Sequence, residues 1–475
     1  MKVIKQYNPK INPKRLDIIV KYLYFKSLTR NNSNFYKDIY RDMYLNIIRH
    51  RTKGVEPVDR RNRNQKSKKT LSDYESSAKD LLKSMQDNGF NRDYYIPIKK
   101  NGFPENGSHR WACALALGVK PYVRVVRGRG LSWGIKELGL SEQELDLVLY
   151  NAVRLSSENY CSILIYDKLI NGIDEKEFLS IIKSYANKQN KNLDDLNIVK
   201  VKSFDIEKDS HILLDIYGIN WADRKQSNIL RKIKILKEKG FKKGYILLMS
   251  VNKPDVPFWS ILDKAKKQLR NELEGIIKEL HSTDYTTIHI PSSHEENILL
   301  CDTCNSYNSF EFLPYKSTRN LKSRMDNWLK ELPKVLKKHN IQRDDICITG
   351  SSVLDALGVR ESTDIDFIIR KKYRKRFGKG YKKLEYRYDI VSEGYHKFSG
   401  HKEYFSDDEI IGNPYLHFYY KGFKFIHPTL VMERKIKQRR KKDIYDVKLM
   451  KMNLLGKIVQ INNKNKYVPN LRINI

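Results

Sequence analysis

The chain has 475 residues, 40% of them hydrophobic, which excludes wholesale disorder and leaves room for about three domains at roughly 150 residues each. Lys and Arg number 91 against 56 Asp and Glu, a formal charge of +35 that points to polyanionic partners: nucleic acid, nucleotides or phosphorylated substrates. Five cysteines (Cys113, Cys161, Cys301, Cys304 and Cys347) are too few and odd in number for a disulfide framework. The longest apolar run, Tyr245–Val251, is far short of a membrane span, and the opening residues lack the apolar core of a secretory signal. The expectation is a cytoplasmic protein with no membrane span.

Residues 1 to about 90 predict basic helices, with "LDIIVKYLYFKSL" from Leu16 apolar at helical spacing. The polar connector "DRRNRNQKSKKTLSD" then offers Thr70 or Ser72 as the cap of the next helix. From 91 to about 130 the pattern alternates: a strand in "DYYIPIKKNGF", a turn, a helix in "HRWACALALGV", a strand in "PYVRVVRG". From 131 to about 200 it is helical again, as in "SEQELDLVLYNAVRL" and "EKEFLSIIKSYANK". Strands are expected in "HILLDIYG", with Asp215 at a strand end, and in "GYILLMSV", separated by the basic helix "SNILRKIKILKEKG". The following stretch is rich in His and acids. His281, Asp284, His294 and Glu295 are candidates for acid–base or substrate-binding roles, and His289, His294, Cys301 and Cys304 are a weak zinc set, one Cys-x-x-Cys with irregular histidines. The division expected is 1–150, 151–320 and 321–475, in an α/β and α+β multidomain chain.

The last unit carries the strongest pattern, "CITGSSVLDALGVRESTDIDFII" from Cys347. A strand runs into a Gly-Ser turn; Gly350 allows close approach of a ligand, and Ser351 or Ser352 adds a hydroxyl at the start of a helix, where free N–H groups suit a phosphate. The next strand brings Asp364 and Asp366 to one face, because side chains alternate with period two. Paired carboxylates repel unless a cation lies between them. Carboxylate oxygens and a triphosphate are the donors a hard cation such as Mg²⁺ or Mn²⁺ takes.

This arrangement resembles the nucleotidyltransferase superfamily of the DNA polymerase beta type, on Gly350, Ser351, Asp364 and Asp366. The resemblance implies a third carboxylate from a later strand: Asp389 in "LEYRYDIVSE" is the best match, with Glu385 and Glu393 as other choices. Further on, "HFYYKGFKFIHPTLVMERKIKQRRKKDIYDVKLM" is similar to the ending of compact members of that superfamily. Lys435, Arg439 and Lys442 recur there at helical spacing before Asp443 and Asp446, and the resemblance implies that Lys424 or Lys435 reaches the triphosphate.

Nearer the N-terminus, "IPIKKNGFPENGSHRWACALALGVKPYVRV" resembles the ParB/sulfiredoxin-like fold on Asn106, Gly107, His109 and Arg110, with Ala114 and Gly118 in register. The implied site is again for phosphate: a Gly turn, a helix start and Arg110 as a forked donor. Asn106 stands where that family often has Asp. The two units together resemble uncharacterised proteins of bacterial surface-polysaccharide loci. Together they imply an Mg²⁺-dependent nucleotidyl transfer from an NTP to a small phosphate or hydroxyl acceptor, coupled to a ParB-like small-molecule kinase. The alternatives are transfer to RNA or DNA ends, or a ParB-like DNA-binding protein; with the charge read as spread along the whole chain, nucleic-acid binding is expected to be generic.

Overall fold

In the computed structural model, the described residues are 4–9, 11–29, 33–52, 70–99, 102–127, 135–188, 193, 195–219, 226–252, 254–276, 288–318, 324–396 and 405–467. They form a mixed α/β structure with three sheets, in two compact units. The first comprises residues 1–160, 192–199 and 250–258; the second, residues 161–191, 200–249 and 259–475.

In the first unit, strands β1 (Ile4–Gln6), β2 (Ile96–Ile98) and β3 (Tyr122–Val125) form a sheet in the order β1-β3-β2. Four of its helices are α1 (Leu16–Thr29), α2 (Asn34–Thr52), α3 (Leu71–Asn88) and α4 (Ser108–Leu117). Helix α1 is buried nearly all round and packs on α2 and α4, as a helix apolar on every side must. It carries a buried charge cluster: Asp17 accepts from Arg15 Nε at 2.8 Å and Lys21 Nζ at 2.7 Å, and Lys21 also donates to Ser108 Oγ. Burial alone would raise the Asp17 carboxyl, but Lys21 and Arg15 outweigh it and hold it far below the ordinary range. Thr70 caps α3 in a reciprocal capping box with Asp73.

The second unit holds most residues of one further sheet and all of another. The first contains β4 (Tyr160–Tyr166), β5 (Asn197–Asp205), β6 (Lys243–Ser250) and β7 (Ile288–His289) in the order β5-β6-β4-β7. The buried run "YCSILIY" of β4 interrupts what the sequence pattern presents as a helical stretch. "HILLDIYG" departs from expectation in the other direction: Ile212–Ile216 is a short buried helix, and Asp215 sits inside it instead of at a strand end. A short apolar run does not distinguish the two states by periodicity, and here tertiary partners of Asp215 decide it.

The last sheet is built from β8 (Ile346–Thr349), β9 (Ile365–Ile369), β10 (Lys382–Glu385), β11 (Tyr388–Ile390), β12 (His417–Tyr420) and β13 (Phe423–Ile426), in the order β10-β11-β9-β8-β13-β12. Strand β9 runs antiparallel to β8 and parallel to β11. Ile346, Ile348, Phe367, Ile369, Ile390 and Phe425 are fully buried and make the strands' common core. The β12–β13 hairpin turns on Lys421 and Gly422, both at positive φ (49° and 79°), the geometry that matches strand twist. Lys421 is held in that conformation by its surroundings: its N–H donates to Asp215 Oδ1, and its buried ammonium pairs with Asp326 at 2.7 Å. A Cβ on Gly218 would lie 2.2 Å from Gly422 N, so the two backbones pack directly on each other.

Candidate active site

The strand pairing aligns the acids. Thr349 stands opposite Asp366 in the β8–β9 pair, and Asp366 stands opposite Asp389 in the β9–β11 pair. One carboxylate oxygen from each of Asp364, Asp366 and Asp389 lies within 4.8 Å of the others, and no other cluster of three or more metal-ligating side chains occurs among the described residues. Asp389 is therefore the third member of this cluster. Glu385 pairs instead with Lys338 at 2.8 Å, and Glu393 is not in the cluster.

The electrostatics are those of a site short of positive charge. Burial first, then the charges of Asp364 and Asp389, push the Asp366 carboxyl up to about 6, against partial relief from Arg434 and Lys442. Asp389 Oδ1 is buried without a hydrogen-bond partner. Burial, then neighbouring Asp389, Asp366 and Asp364, raise the Tyr381 hydroxyl well above its usual range. These hard oxygen donors fit Mg²⁺ or Mn²⁺, which three clustered carboxylates accept and a soft-ligand metal would not prefer.

Gly350 leads into the Ser351–Ala356 helix at φ 68°, a conformation that L side chains avoid. Ser352 Oγ donates to Asp364 O at 2.7 Å, tying the helix start to the start of β9. Ser351 is half-buried, and its hydroxyl makes no hydrogen bond among the described residues.

Lys435, expected at the triphosphate, is buried between Asp443 (3.3 Å) and Asp446 (2.6 Å). Arg360 grips Asp446 through two nitrogens, and Arg440 grips Asp443. This cluster joins the Pro428–Gln438 and Lys441–Asn453 helices. Lys424 donates to Asp344, both backbone and side chain. Of the two cations that relieve Asp366, Arg434 acts more strongly than Lys442; it is one residue before Lys435 and therefore about 100° around the helix. Its Nη1 is buried without a partner, its guanidinium lies over the Tyr395 ring, and burial and Arg440 lower its pKa to about 9. Helical spacing flagged the segment but did not choose between neighbours.

The N-terminal motif residues are engaged with protein. Gly107 precedes α4 at φ 79°, His109 Nε2 is 3.1 Å from Tyr44 Oη, and Arg110 Nη1 donates to the Tyr94 and Tyr95 carbonyls. In the second unit, His289 contacts Glu296 at 3.1 Å, and His294 is exposed. Cys301 contacts Asn297 and Cys304 contacts Ile246 O, so the four zinc candidates do not converge. Glu295 is exposed beside His294, and His281 and Asp284 lie outside the described residues. No described helix is long and apolar enough to cross a membrane.

No protein-family model, curated protein or solved structure matches this chain.

Proposed function

We propose that the chain is a divalent-metal-dependent nucleotidyltransferase, taking an NTP as donor and a hydroxyl or phosphate oxygen as acceptor. The observation that carries this reading is the convergence of Asp364, Asp366 and Asp389 beside the Gly350 turn, with a buried and unpartnered oxygen on Asp389. A cation held by these acids supplies Lewis-acid polarisation of the α-phosphate and charge neutralisation in the transition state. The chain's own residues do the rest. Gly350 leaves room for the Asp366 carboxylate against the turn, Ser351 offers a free hydroxyl, and the orphaned Nη1 of Arg434 is a donor for a phosphate oxygen.

For a hydroxyl acceptor, its oxygen bonds to the α-phosphorus, the α–β bridging P–O bond breaks, and pyrophosphate leaves with the electron pair. The hydroxyl proton passes to Asp389, whose carboxylate is the most buried of the three. The test is pyrophosphate release by the full chain with each NTP and Mg²⁺ across a panel of acceptors. Asp364→Asn and Asp366→Asn are each expected to abolish it with the far-UV circular dichroism unchanged. Full activity in either variant removes the assignment.

A further inference from the structure

Between β9 and β11 the chain passes through a strongly basic surface segment. Residues 370–387 contain ten Lys or Arg and one acid, Glu385. That acid is already paired with Lys338. Lys375, Lys379, Lys382 and Lys383 are exposed, and none makes an ion pair among the described residues. Two aromatic rings stand among them, Tyr381 at 59% and Tyr386 at 74% exposure.

The pairing register fixes where this surface lies. Lys383 is directly opposite Asp389 in the β10–β11 pair, so both side chains leave the same face. Tyr381, two residues earlier, belongs to that face too, and its hydroxyl is next to Asp389. Because β10 is antiparallel to β11 and β11 is parallel to β9, the chain enters β10 from the end where β9 finishes. The Lys371–Phe377 helix is therefore past that end, three residues or roughly 10 Å beyond the level of Asp366. The cations begin at the acids and lead away from them.

Lysines on an edge strand also discourage strand-to-strand association, and β10 is an edge. That accounts for Lys382. It does not account for two exposed tyrosines, or for cations continuing into the helix. A positive track with interleaved aromatics, by contrast, is what a single strand of nucleic acid needs: charge for the phosphates and ring faces for the bases.

Resting on the nucleotidyl-transfer reading above, we propose that the acceptor is the terminal hydroxyl of a single-stranded nucleic acid, laid along residues 375–383 with its end at Asp389. Residues 370–387 carry ten cations against one acid, a net +9 of the chain's +35.

The full chain is tested by fluorescence anisotropy with labelled RNA and DNA oligonucleotides between 50 and 200 mM salt, and by transfer from labelled NTPs with Mg²⁺. Wild type is expected to bind an oligonucleotide and label its end. Combined Lys375→Glu, Lys379→Glu and Lys382→Glu substitutions, all outside the acid cluster, are expected to weaken binding tenfold or more. They are also expected to flatten the salt slope by about 2, at roughly 0.7 per phosphate contact. Tyr381→Ala is expected to weaken it about fivefold or more, the loss of one stacked base. Asp366→Asn should bind like wild type and transfer nothing. Unchanged binding by the triple variant, or equal competition from base-free polyphosphate, overturns the proposal. If label passes to a small alcohol as readily in the triple variant as in wild type, the acceptor proposal fails and nucleotidyl transfer stands. If strands bind through the lysines and no acceptor of any kind is labelled, both fail.

Discussion

A Cβ placed on Gly350 would lie 2.8 Å from Oδ2 of Asp366, so the bare turn and the position of the acid are one feature. Gly350→Ala must therefore move a carboxylate that three strands align, and it also holds an L residue at φ 68°. The strain is about 1–3 kcal/mol. A misplacement near 1 Å at the reacting centre costs about a hundredfold in rate. Transfer is expected to fall by that factor while the melting temperature drops only a few degrees. A variant with wild-type turnover would show that the turn does not position Asp366.

Asp366 also sets a pH signature. Its carboxyl is pushed to about 6 in the folded protein, by burial first and then by Asp364 and Asp389, against an ordinary value of 3.8. A raised value means the folded state favours the protonated form. The stabilisation is complete below about pH 4 and is lost as pH rises through 6. At one pKa unit per 1.36 kcal/mol, discounted for partial exposure, the strain on the charged form is about 2 kcal/mol. Metal-free Asp366→Asn is expected to melt a few degrees above wild type at pH 8 and level with it at pH 4, by scanning calorimetry. A variant less stable than wild type at pH 8 would mean that no unrelieved repulsion exists in the cluster.

The acids were legible because their signal is local: a strand, Gly-Ser, and Asp-x-Asp in an apolar run specify a face by period two alone. Asp389 was distinguishable from Glu385 and Glu393 only by analogy, since the choice depends on which strand pairs with β9 and in what register. Arg434 was hidden for a similar reason. Helical periodicity marks a face, but Lys435 and Arg434 are adjacent, and only the positions of Asp443 and Asp446 turn one inward to them and leave the other for Asp366. "HILLDIYG" was misread because its state depends on Lys316 and Lys421, more than 100 residues away.

Arg434 and Lys435 are expected to fail differently. Arg434 keeps a buried, unpartnered nitrogen and a guanidinium whose charge burial opposes, so an incoming phosphate relieves it. Arg434→Ala should lower kcat/KM for the NTP by about 10²–10³, as for the loss of one donor aimed at developing charge, with little change in melting temperature. Lys435→Ala leaves Asp443 and Asp446 short of a buried cation and should cost about 3–5 kcal/mol of stability. Steady-state kinetics beside thermal melts separate the two; the opposite pattern would return the phosphate contact to Lys435.

The β12–β13 hairpin of the six-stranded sheet depends on residues far earlier in the chain. Lys316 donates to Asp215 at 2.5 Å and to the Ser309 and Tyr419 carbonyls, while Asp215 also takes the Lys421 N–H. Burial raises the Asp215 carboxyl and lowers the Lys316 ammonium, so desolvation presses both towards neutrality and the charges persist only by facing each other. Lys316→Met should then cost about 3–5 kcal/mol, because it strands a buried carboxylate. Adding Asp215→Asn removes that charge and keeps an acceptor for the Lys421 N–H, so the double variant should recover most of the loss. By the same reasoning a fragment of residues 321–475 lacks the partners of Lys421 N and Tyr419 O and should not give a cooperative urea transition, whereas residues 160–475, which keep the buried strand β4, should. A cooperative transition in the shorter fragment, or a double variant no better than Lys316→Met, would show that the hairpin does not depend on this pair.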